Sequence, residues 1–219
     1  LLRRYVARGR HVADFDELPI PFRAVATDML TAEMVVLEDG DLATALRASM
    51  AIPGAFAPVR LADRVLSDGG MVRNIPVDVA RQTCADVVIV VDLQEPPLEA
   101  KSLQSATALL VRSLDISIVA NETAQLRSLR DDDILITVPM GDIGTADFQR
   151  VPETLPLGEA AARALASRLE EYAVGSDEYS AWRAAVTSSA PREARLAGVQ
   201  FEGLQWVAPS YLETVSTIR

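Results

Sequence analysis

Long apolar runs, paired cysteines and histidines are scarce in this sequence. No apolar stretch approaches the ~20 residues needed to span a bilayer. Cys84 is the single cysteine, so no internal disulfide can form, and its amphipathic surroundings read it as a buried structural thiol. His11 is the single histidine and lies in a polar lead-in; it reads as a solvent-exposed loop residue rather than part of a Ser-His-Asp triad. Excess positive charge is lacking too. A net charge of -10 argues against nucleic-acid binding, which needs clustered Lys and Arg, and against a purely electrostatic hold on anionic membranes. Two catalytic signatures are missing: there is no Gly-x-Ser-x-Gly elbow, and no Gly-Gly-Gly-like loop to hold an oxyanion. The opening Leu1-Leu2-Arg3-Arg4-Tyr5 lacks the apolar core of a signal peptide and reads as the interior of a chain that began earlier.

What is present suits a packed chain. Apolar residues make up 49% and charged residues 24%, which excludes a disordered polymer and supports one sizeable core over 219 residues. Phe22–Asp28 and Met34–Leu37 read as short strands, the second stopped by Asp39-Gly40. Asp41 is placed to cap a helix with Leu42, Ala45, Leu46 and Ser49 on one face, ended by Pro53-Gly54. Leu61–Leu66 reads as a small hairpin delivering Ser67-Asp68, and Pro76 opens a helix over 77–83. The Val/Ile run from Asp86 to Asp92 predicts a strand buried on both faces, as in a parallel sheet. A long helical pattern covers 103–130, Asp133–Val138 is another strand, and 157–172 is helical with Pro156 before it. Strands alternating with helices predict an α/β three-layer sandwich around a mostly parallel central sheet.

The chemistry centres on Ser67-Asp68-Gly69-Gly70-Met71-Val72-Arg73-Asn74-Ile75-Pro76. An Asp can act as a base if partial burial raises its proton affinity. Gly69 and Gly70, lacking Cβ atoms, are expected to supply positive φ for a sharp turn beside it. Upstream, Ser49 to Val59, with Pro53-Gly54, reads as scaffold packed under that turn. Ser49 lacks elbow glycines, and Ser67 adjoins Asp68 on an extended segment where neighbouring side chains face opposite ways; neither is a good nucleophile. Asp131-Asp132-Asp133 lacks regular ligand spacing and reads as a solvated turn. Gly141–Phe148 lacks the Lys and residue order of a phosphate loop and reads as structural. Trp182, Trp206 and Tyr211 read as packing residues, with Trp206 also placed to line an interface.

The blocks at 47–59 and 68–76 together resemble the second half of a patatin-like phospholipase domain, over about residues 15–150. The resemblance implies a Ser-Asp dyad with Asp68 as base. It makes Gly69, Gly70, Asn74, Pro76, Ser49 and Pro53 the structural motif around the site, and implies no metal and no organic cofactor. The implied activity is hydrolysis of phospholipid or other acyl esters by an acyl-enzyme route. The serine would come from an upstream part of the same domain, and this chain alone is then expected to be inactive. The alternative is a binding or scaffolding domain of the same fold that has lost its nucleophile. Ser188–Arg192 reads as a linker, and the alternating Leu196–Leu204 followed by Pro209–Glu213 resembles the start of a POTRA-like α+β module. The expected division is therefore 1–187 hydrolase domain, 188–195 linker and 196–219 module start. That resemblance implies an exported bacterial parent with a downstream outer-membrane barrel, at the cell surface or secreted. Without the module, a cytoplasmic esterase is the expectation.

Overall fold

A computed structural model describes residues 2–7, 9, 12–83, 85–94, 103–144 and 147–188. His11, Cys84, the linker from 189 onward, the POTRA-like segment, Trp206 and Tyr211 lie outside the described residues. Two sheets organise the rest. The larger has four strands in the order β2-β1-β4-β3: β1 Ala24–Asp28, β2 Met34–Leu37, β3 Val59–Leu61 and β4 Arg64–Asp68. All its pairings are antiparallel. The smaller pairs β5 (Ile89–Gln94) with β6 (Ile134–Pro139) in parallel, Ile89 opposite Ile134. The architecture is mixed α/β, but the expectation of a mostly parallel sheet is corrected. Short strands joined by tight turns can close only antiparallel; a parallel return needs a long crossover, which the segment between β5 and β6 supplies.

Helix α2 (Leu42–Ser49) begins where expected. The Asp41 carboxylate accepts from the Thr44 N–H at 3.2 Å and from its hydroxyl at 2.6 Å. Its apolar face, Leu42, Ala45 and Ala48, meets Phe15, Ala24, Ala26, Val35, Leu37 and Leu66 in one core. Short helices α1 (Leu2–Tyr5), α3 (Gly70–Arg73) and α4 (Val77–Gln82) precede the parallel pair. Helix α5 (Ala106–Leu126) starts at Ser105, whose hydroxyl accepts from the Ala108 N–H at 3.0 Å. A second core joins Ile75 and Val77 to Val88 and Val90, closed by Leu126 and Leu129. A third joins Ile134, Ile136 and Val138 to Leu157, Leu165 and Leu169.

Helix α6 spans Val151–Ala164, so Pro156 lies inside it rather than before it, and Pro152 occupies the first turn. Helices α7 (Ala166–Glu170) and α8 (Ser176–Ser188) follow. The Val/Ile run is also corrected. Among the described residues only one face of β5 is covered: Val88 and Val90 are buried, while Ile89, Val91 and Leu93 are each at least half exposed.

Asp133 is no solvated turn residue. Its buried carboxylate accepts from the Val88 N–H at 2.8 Å and the Arg130 N–H at 2.7 Å, and pairs with the Arg81 guanidinium. It thereby pins α4 and both parallel strands at one point. Arg150, just past the 141–148 segment, pairs with Asp142 in that segment and with Glu153 in α6, both at 3.0 Å. Trp182 is about half exposed and stacks obliquely on Tyr179. No helix among the described residues is long and apolar enough to cross a membrane.

Candidate active site

Asp68 ends β4, the inner partner of β1, with Ala26 opposite it and Ser67 opposite Thr27. The hairpin that leads to it turns at Ala62-Asp63, with Ala62 at φ 51°. The backbone around Asp68 is held from two sides. Its N–H donates to the Ala51 carbonyl at 3.1 Å, and its own carbonyl accepts from the Thr27 hydroxyl at 2.7 Å. The Gly69 N–H donates to the Ser49 carbonyl at 3.2 Å. The 49–59 segment thus cradles the end of β4 through backbone groups. Ser49 takes part by its carbonyl, Pro53 is partly covered, and Gly54 turns the chain at φ 86°.

Ser67 is buried, and its hydroxyl donates to the Ala51 carbonyl at 2.7 Å. It faces away from the Asp68 carboxylate, as alternation along a strand requires. Neither Ser67 nor Ser49 hydrogen-bonds the Asp68 carboxylate.

The Asp68 carboxylate is partly buried and accepts from the Gly70 N–H at 2.7 Å. Burial pushes its proton affinity up, and the Gly70 hydrogen bond opposes this; the net direction is upward. The expected role of the two glycines needs correction. Gly69 sits at φ -69°, in ordinary helical space, and Gly70 is likewise absent from the positive-φ glycines. Gly69 is required for closeness to backbone, whereas at Gly70 only side-chain atoms would be crowded. A Cβ on Gly69 would lie 2.0 Å from the Val25 carbonyl oxygen, and one on Gly70 within 2.9 Å of the Asp68 carboxylate and the Asn74 amide. The turn packs flat on β1, and no side chain fits between.

Asn74 follows α3. Its N–H donates to Asn121 Oδ1 at 3.0 Å, and its side-chain amide donates to the Glu122 carboxylate. Pro76 precedes α4 without disturbing it, because the first helical N–H groups have no partner to lose. Thr27 and Asn121 were not singled out by sequence. For Asn121 a signal did exist: Asn121 and Gln125 stand four apart in a long helical pattern, a spacing that stacks two amides on one face. Among the described residues no group of three or more His, Cys, Asp or Glu side chains could hold a metal ion.

With an aspartate ending a strand, a tight Gly-Gly turn and a backbone cradle in place, residues 2–81 are similar to the patatin-like phospholipase family, whose profile matches them. The chain is also similar to an uncharacterized NTE family protein of Mycobacterium tuberculosis, 31% identical over 176 residues, covering 68% of this chain and 29% of that protein. A second M. tuberculosis protein of the NTE family is 44% identical over 78 residues, covering 36% of this chain and 22% of that protein. The mouse patatin-like phospholipase domain-containing protein 7 is 40% identical over 82 residues, covering 36% of this chain and 6% of that protein. The chain thus spans less than a third of the length of these curated relatives.

Proposed function

We propose that Asp68 is the general base of a Ser-Asp lipid acyl hydrolase. The observation that carries this reading is a lone carboxylate, partly buried and with raised proton affinity, fixed on a rigid turn within patatin-like sequence. In this reading a serine outside the sequence gives its proton to Asp68 as its oxygen attacks an ester carbonyl. The proton then passes to the departing alcohol, leaving an acyl-enzyme. Asp68 next takes a proton from water, whose oxygen attacks the acyl carbonyl, and returns it to the serine. The substrate class is a phospholipid or another acyl ester, and the chemistry calls for no cofactor.

The serine would arrive on an upstream part of the same domain. The apolar face of β5 that the described residues leave uncovered supports this, because parallel strands are normally covered on both faces. The lack of a Gly-x-Ser-x-Gly elbow in these 219 residues favours the second reading, a non-catalytic scaffold of the same fold. The residues preceding Leu1 discriminate the two. Export, with a downstream module and barrel, rests on the 196–213 pattern alone, and fractionation of cells expressing the whole protein tests it.

The decisive measurement is hydrolysis of phospholipid and acyl-ester substrates by the longer protein carrying Asp68→Asn. We expect a loss of about 10²–10⁴-fold in kcat, with an acid limb in the native pH profile above the ordinary carboxylate range. Unchanged hydrolysis would remove Asp68 from the mechanism. Turnover by the isolated 219-residue chain would contradict the placement of the nucleophile elsewhere.

A further inference from the structure

Helix α3 is four residues long and lacks a side-chain cap, so it cannot hold its own shape. It nevertheless carries the Gly70 N–H that holds the Asp68 carboxylate at 2.7 Å. Gly69 at its start is held by the Ser49 carbonyl and by β1, and the rest of the restraint comes from α5. The Asn121 amide nitrogen donates to the Gly70 carbonyl at 3.0 Å and reaches the Met71 carbonyl at 3.4 Å. Its oxygen accepts from the Asn74 N–H at 3.0 Å. One side chain therefore grips both ends of α3. An amide suits this task, since one end of the turn presents an acceptor and the other a donor. Glu122 seconds it by accepting from the Asn74 side chain.

We propose that Asn121 is a positioning residue for the base: it fixes the Gly70–Asn74 turn and thereby sets the geometry in which the Gly70 N–H meets the Asp68 carboxylate. The proposal rests on the reading of Asp68 as the base. The charged groups on the packed elements are Arg73, paired with Asp78 at 3.2 Å, Glu122 on Asn74, Asp28 at the end of β1, and Arg112 and Asp115 nearer the start of α5. Exchanging neutral Asn121 for a neutral residue leaves all of them in place. Gln125, one turn further along α5, provides the internal comparison. It also anchors the helix, by accepting from the Asp78 N–H at 3.0 Å, but it grips α4 and not the base-bearing turn.

The test follows the Asp68 carboxyl carbon by NMR titration in this chain, together with kcat, KM and the pH profile in the longer protein. Asn121→Ala loosens a hydrogen bond to the charged form of Asp68. Its titration midpoint should rise by about half a pH unit or more, with the acid limb of kcat/KM moving equally. The kcat should fall about tenfold or more at unchanged KM. Gln125→Ala should lower the melting temperature comparably and leave both readouts in place. If Asn121→Ala does not fold, Asn121→Leu keeps a similar side-chain volume and adds no charge but loses both the donor to Gly70 and the acceptor for Asn74; it should show the same rise. A folded Asn121 variant with an unmoved Asp68 titration overturns the proposal, as does an equal shift in Gln125→Ala. Full hydrolysis by Asp68→Asn overturns the base reading instead, and removes any catalytic meaning from the clamp. Dependence on Asp68 without dependence on Asn121 defeats the clamp alone.

Discussion

At Asp68 two opposed influences act on one carboxylate: partial burial favours its neutral form, and the Gly70 N–H favours its charged form. Burial prevails, and a raised proton affinity is the direction that the proposed role as a base requires. The neighbouring glycine is under a stricter demand. Gly69 lies so close to the Val25 carbonyl that any Cβ would occupy the same space, and both sides of that contact are backbone. Relief would require β1 and the end of β4 to part. Gly69→Ala is therefore expected to destabilise the chain by about 3 kcal/mol, read as a lower urea midpoint with an unchanged slope. A loss below about 1 kcal/mol would show that the turn can yield. The sequence marked this glycine as necessary but pointed to the wrong cause, because φ and interstrand distance leave the same one-letter trace.

Among elements, the join between α4, β5 and β6 depends on Asp133. Burial would raise its proton affinity, but the Arg130 and Val88 N–H groups and the Arg81 guanidinium overcome this and hold it lowered. Because the folded state binds the proton more weakly than the unfolded chain, the stabilisation is present above the ordinary carboxylate range. It is lost as pH falls through the lowered folded value. Asp133→Asn should cost about 3 kcal/mol at neutral pH, since it leaves Arg81 without its buried partner. Thermal unfolding of wild type and variant should converge as the pH drops below about 4. A gap independent of pH would mean that packing, not charge, makes the join. Asp131-Asp132-Asp133 looked uniform in sequence; the third residue differs because the Val88 N–H and the Arg81 guanidinium arrive beside it from distant parts of the chain.

For the molecule as a whole, the open face of β5 is one apolar surface that the described residues leave uncovered, alongside exposed apolar residues of α5 such as Leu110 and Ile116. Ile89, Val91 and Leu93 are apolar and at least half exposed, whereas Val88 and Val90 are buried in the second core. If the upstream part of the domain packs there, Val91→Lys has two different outcomes. In this chain alone it should reduce self-association and binding of a hydrophobic dye with little change in melting temperature. In the longer protein it should destabilise by about 2–3 kcal/mol, the worth of one buried valine plus the cost of a buried charge. Equal effects in both would show that nothing packs on that face.

Local order was enough to locate most elements and the candidate base. The Asp41 cap, the hairpin into Asp68, Pro76 at a helix start and the β-branched runs are short-range chemistry, and each reads from a few adjacent residues. Helix bounds near proline slipped, because Pro156 is tolerated inside α6. Strand direction, one-sided burial of β5, the embedded Asp133 and the grip of Asn121 on a turn some fifty residues away came from folding in three dimensions. Composition and periodicity record what each residue prefers, whereas these four depend on which distant backbone groups arrive beside it.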